Sequence, residues 1–162
     1  MRRFLWGLTL VLLAAVLAGC AGDPVKEDIE AYIKVDQVVG AKYNPKMMQD
    51  YERRMANVRT LEEAVQIFGE VRTMLVESQT QIATLKPKSK EMQQWVGKMN
   101  QGFLDMIAIY DEIIIAFGSG DPDKISAIET KVNQELPRIL RNIDEAEEAI
   151  GKLAKEKGVE IP

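Results

Sequence analysis

Histidine is absent from all 162 residues and cysteine occurs once, at Cys20, so most catalytic chemistry is excluded at the outset. Without histidine there is no Ser-His-Asp triad, no His-Glu-x-x-His zinc site and no Glu-x-x-His di-iron helix pair. Chemistry would have to rest on carboxylates, lysines or tyrosines, and no paired acid and base stands out among them. We therefore expect no enzyme, no catalytic residue and no metal site. All the methionines but Met1 follow Cys20, and Met92, Met99 and Met106 recur every seven residues, which raises the idea of a thioether copper site. Seven residues span about 10.5 Å of helix, too far for three sulfurs to share one ion, so these side chains are expected to fill the core. The acidic run Asp144, Glu145, Glu147 and Glu148 reads as a solvated helix face, with Glu148 four residues before Lys152.

Cys20 is better explained by its neighbours than by catalysis. Arg2 and Arg3 precede the apolar stretch Phe4–Leu17, which is signal-peptide length and short of the roughly 20 residues a spanning helix needs. The stretch closes on Leu17-Ala18-Gly19-Cys20, which resembles the lipobox of bacterial lipoproteins. The resemblance covers residues 1–21 alone. It implies cleavage between Gly19 and Cys20, a diacylglycerol on the Cys20 sulfur and an N-acyl chain on its freed amine, with no other cofactor. It also implies attachment to a membrane through that anchor. Ala21, where an Asp would retain a Gram-negative lipoprotein in the inner membrane, points by the same resemblance to the periplasmic leaflet of the outer membrane.

Removing Arg2 and Arg3 from the 21 basic side chains leaves 19 against 25 acidic ones, a balance of −6. That charge argues against nucleic acid and against electrostatic adhesion to anionic lipid. From Cys20 onward the chain is long enough for one domain with a single core.

The elements that would position any site are helical throughout. Ile125, Ile128, Val132, Leu136, Ile139, Ile143, Ala146, Ile150 and Leu153 form a heptad-like stripe that opens at Asp121-Pro122 and ends before Gly158. Pro137 lies inside it and is expected to bend the rod. A second stripe runs from Met92 to Phe117, with Ser89 as its expected N-cap and Gly118-Ser119-Gly120 as its stop. A third, Leu61 to Leu85, starts from the capping-box pattern Thr60-Leu61-Glu62-Glu63. Residues 24–58 are broken: Gly40 and Asn44-Pro45 interrupt the first run, and Met47, Met48, Tyr51, Met55 and Val58 form a second piece. The short connections predict an all-α, antiparallel up-down four-helix bundle with a broken first helix, about 40 Å long. The expected division is a cleaved signal peptide at 1–19, an acylated tether at 20–23, the bundle at 24–158 and a tail at 159–162. Lys86, Lys88 and Lys90 should share the tether's end with Lys152, Lys155 and Lys157.

Kinks at Pro45 and Pro137 would open a cleft between rods, with Tyr43, Tyr51, Trp95 and Tyr110 as its lining or as a partner surface. The whole then reads as a lipid-anchored interaction or scaffold protein that binds another protein of the cell envelope. Secretin pilotins are an architectural analogue, although this chain is longer and has no disulfide. The alternative is a small-molecule-binding sensor or carrier, similar in outline to the four-helix sensor domains of chemoreceptors.

Overall fold

The computed structural model describes residues 22–161, and they are all-α, with no strand among them; Gly19 and Cys20 lie outside. Five helices follow in order: α1 (Pro24–Lys42), α2 (Pro45–Ala56), α3 (Leu61–Ala83), α4 (Lys90–Ser119) and α5 (Pro122–Glu156). Each of the starts with a local signal uses it. Asp23 accepts from the Val25 N–H at 3.0 Å, Asn44 from Met47 at 3.2 Å and Asp121 from Asp123 at 3.0 Å, in each case with proline at the first helical position. Thr60 and Glu63 complete the capping box. Gly120, at φ 65°, ends α4 in the left-handed region that a side chain would resist.

Three expectations change on folding. Ser89 precedes α4 but makes no side-chain cap of its own. Its hydroxyl and the turn before it are held instead by Asp28 of α1, a buried carboxylate that accepts from the Lys88 N–H at 2.9 Å, the Ser89 N–H at 2.8 Å and the Ser89 hydroxyl at 2.7 Å. Gly40 does not interrupt α1; the helix runs through it to Lys42 and yields only at Tyr43-Asn44, where the residue before Pro45 is driven into extended backbone. Val159, placed in a tail by the sequence, packs against the core, its N–H donating to the Ala154 carbonyl at 2.9 Å. Pro137 is exposed and leaves α5 a single helix.

The long helices α3, α4 and α5 run antiparallel. Arg72 pairs with Asp111 while Gln79 reaches Asn100, and Lys98 pairs with Glu145 while Lys131 reaches Glu112 at 2.6 Å. Between them lies one core in which Met92, Met99, Ile139 and Ile150 are almost wholly buried. Helix α1 adds Ile29 and Tyr32 to it. Lys157 pairs with Asp23 and Lys88 with Glu27, both at 2.8 Å, so the start of α1, the α3–α4 turn and the end of α5 meet at one end. No helix among the described residues is long and apolar enough to cross a membrane.

At Gly102 of α4 the Ile143 side chain of α5 packs directly on the backbone, so an added Cβ would stand 2.6 Å from Ile143 Cγ1 and 3.1 Å from its Cδ1. Gly102→Val should therefore cost about 3 kcal/mol by overpacking. Gly97→Ala on the same helix meets nothing within 4 Å and should gain up to about 1 kcal/mol in helix propensity. Urea unfolding followed by circular dichroism reads both, and equal effects would show that the approach at Gly102 is not tight.

Candidate functional site: an unroofed apolar groove

The broken first rod covers only part of the bundle. Helix α1 lies in the groove between α3 and α5 and packs onto both and onto α4. Past the break, α2 stays with α3 alone, and none of its Cα atoms comes within 8 Å of a Cα of α4 or α5. The same groove is therefore open over its far half. It is about 310 Å³ in volume and is walled by Phe68 of α3, by Ile109, Tyr110, Ile113 and Phe117 of α4, and by Ile128, Val132 and Leu136 of α5. Phe68 sets its edge against the rings of Tyr110 and Phe117, with centroids 6.3 and 5.2 Å away.

Polar atoms are few and sit at the rim. Glu129 and Asn133 project from α5. Burial pushes the Tyr110 hydroxyl above its ordinary pKa, so it stays a neutral donor. Glu129 has no ion pair among the described residues, unlike Glu112 and Glu145 on the neighbouring seam. The arrangement offers apolar surface, one hydroxyl, one carboxylate and one carboxamide. It provides no nucleophile with a base beside it, and no group of three or more Cys, Asp or Glu side chains that could hold a metal ion occurs among the described residues.

Helix α2 is loosely held. None of its residues is buried, although Met47, Tyr51 and Met55 share one face at four-residue spacing. Its ion pair with the rest of the bundle joins Arg54 to Glu70 through two hydrogen bonds, at 2.6 and 2.9 Å, with both side chains about one-third exposed. That fork sets the register of α2 on α3, but it is one contact at a solvent-facing edge and does not bury the helix. A larger hollow of about 560 Å³ is lined by Asn44, Lys46, Met47, Gln49, Asp50 and Arg53, all from α2 and its N-cap, so no second element among the described residues closes it.

Of the four aromatic residues proposed from sequence, Tyr110 alone lines the groove. Tyr43 donates its hydroxyl to Glu77 in a separate hollow between α1 and α3. Tyr51 lies under the Arg54 guanidinium at 5.6 Å, and Trp95 under the Lys98 ammonium at 5.9 Å. They do not form one cleft. Apart from Tyr110, the sequence pattern does not distinguish the residues that build the groove from ordinary core, because a helical stripe shows which face is apolar and not which stretch of it is roofed. A usable signal was present: the apolar stripe of α1 stops at Val39, while its three neighbours carry theirs over the full rod.

Across the α1–α5 seam, burial raises the pKa values of Tyr32, Asp36 and Glu147, and the negative charge of Asp36 raises Glu147 further. Asp36 and Glu147 keep much of their surface in water, which limits that effect. No protein-family model, curated protein or solved structure matches this chain.

Proposed function

We propose that this chain is a lipid-anchored, non-enzymatic interaction protein of the bacterial cell envelope, an up-down bundle of four rods that binds another envelope protein in the groove left by its broken first rod. The lipobox resemblance supplies the anchor at Cys20 and the periplasmic face of the outer membrane as its place. The observation that carries the reading is where the groove lies relative to that anchor. Asp23 is tied to Lys157 at 2.8 Å, whereas Leu136 and Ile128 lie 21 and 29 residues back along α5. At 1.5 Å per residue the apolar surface is held roughly 30 to 45 Å from the tether, away from the bilayer and open to a neighbour.

A small-molecule carrier is the second reading, favoured by the volume of about 310 Å³, at the lower end for a small-ligand pocket. Val132→Glu and Leu136→Glu place charge on the half-buried groove wall with little penalty to the core. In cross-linked membranes of the native host, each should lower recovery of a stoichiometric protein partner roughly tenfold while helical circular dichroism is kept. Wild-type recovery in both variants would remove the groove from the interaction. A metabolite that raises the melting temperature of the wild type but not of these variants, with no protein partner recovered, would favour the carrier.

A further inference from the structure

We infer that α2 is a lid for this groove, able to leave the edge of α3 and lay its Met47-Tyr51-Met55 face between α3 and α5; the inference rests on the groove being the binding surface. Register carries the argument. Arg72 opposite Asp111 and Glu112 opposite Lys131 put Glu70 level with about Thr130 of α5. Arg54 is fixed to Glu70, so Met47 stands level with about Leu136, Tyr51 with about Asn133 and Met55 with about Glu129. Ile128 to Leu136 and Met47 to Met55 each span eight residues, about 12 Å of helix, so lid and opening match in length.

The remaining features agree. The groove continues the one in which α1 packs against α3, α4 and α5, so a helix already occupies its other half. The face that α2 would insert is apolar and only half-buried at present, so it has surface still to bury, and methionines adapt to irregular walls. Closure moves Arg54 from Glu70 toward Glu129, exchanging one carboxylate for another. Asn57–Thr60 and Tyr43-Asn44 are the hinges, one on each side of α2. An external ligand that displaces the lid must then resemble it: an amphipathic helix with apolar side chains at i, i+4 and i+8 and a cation near its C-terminal end.

The test uses the full chain in its membrane, where Cys20 is the only native cysteine. Tyr51→Cys with Asn133→Cys makes one pair, and Met47→Cys with Leu136→Cys makes a second at another level. A disulfide needs Cα atoms within about 7 Å, and no α2–α5 pair in the structure is closer than 8 Å, so bonding reports movement of α2. On oxidation with copper phenanthroline each pair should close roughly tenfold more than Tyr51→Cys with Lys131→Cys, whose α5 partner faces α4, since trapping accumulates even a minor state. Both test pairs staying reduced while the helices remain intact, or the control closing equally, would overturn the lid. That failure leaves the effect of Leu136→Glu on partner recovery unchanged, which keeps the two proposals separable.

Discussion

Asp28→Ala should lower the unfolding free energy by about 3 kcal/mol, one of the largest losses available to a single side chain here. The carboxylate is 7% exposed and joins the first helix to the α3–α4 turn, 60 residues away in sequence. It accepts from the Lys88 and Ser89 N–H groups just before α4 and from the Ser89 hydroxyl, so its removal leaves these donors, the buried Ser89 pair above all, without the partner they have in the fold. Ser89→Ala removes one of those donors and should cost about 1 kcal/mol. Chemical unfolding followed at the helical band separates the two, and an Asp28→Ala loss no greater than that of Ser89→Ala would show that the carboxylate does not hold the turn.

The same contact predicts the response to acid. Burial is the strongest single influence on Asp28 and pushes its pKa up, but the Ser89 hydroxyl, the Ser89 and Lys88 N–H groups and the Lys88 charge together bring it below its ordinary 3.8. A depressed folded-state pKa means that the stabilisation is complete above the unfolded value and fades as pH falls through the folded one. Wild type should thus lose stability below about pH 4 more steeply than Asp28→Asn, which has no carboxyl to protonate. Glu70 and Glu145, lowered by Arg54 and Lys98, act in the same sense from exposed positions. Asp36 and Glu147 act in the opposite one, since protonation removes the cost of partly burying their charge and, for Glu147, the repulsion from Asp36 and Asp144 as well.

Asp28 also marks where sequence reading reaches its limit. Starts at Pro24, Pro45, Leu61 and Pro122 are legible because cap and first turn are neighbours in the chain, and so is the stop at Gly120. Ser89 is legible as a boundary and misleading as a cap, because its hydroxyl is spent on a carboxylate 61 residues earlier. Gly40 looks like a break, yet a helix tolerates one glycine at a cost of only about 1 kcal/mol, and α1 continues past it to Lys42. The groove is the hardest case. Each of its walls is an apolar stripe that any buried helix would show, and what makes it a site is the lean of α2 toward α3, a tertiary choice made at Tyr43-Asn44. The aromatic residues Tyr43, Tyr51 and Trp95 were plausible lining by composition, but their polar tips and ring faces are engaged with Glu77, Arg54 and Lys98 instead.

The second large effect concerns Cys20, which lies outside the described residues. Under the lipid-anchored reading, Cys20→Ser should eliminate incorporation of labelled palmitate and leave an uncleaved precursor heavier than the mature protein by residues 1–19, because the diacylglycerol is joined through that sulfur and the cleaved bond is the one that precedes the lipid-bearing residue. Acyl chains contribute about 0.8 kcal/mol per buried methylene, and one myristoyl chain alone binds only reversibly, so the several chains of a lipoprotein make attachment effectively permanent. Nothing in the described residues replaces them: no helix there is long and apolar enough to cross a membrane, and the net charge of −6 from Cys20 onward does not favour anionic lipid. Exchanging residues 1–19 for a cleavable signal without a lipobox, in the Cys20→Ser background, should therefore move the protein from the membrane pellet to the soluble periplasmic fraction almost completely. Unchanged palmitate labelling in Cys20→Ser would refute the anchor. Release into the soluble fraction with α2–α5 disulfide formation intact would show that the tether sets where the groove works and the helices set what it can hold.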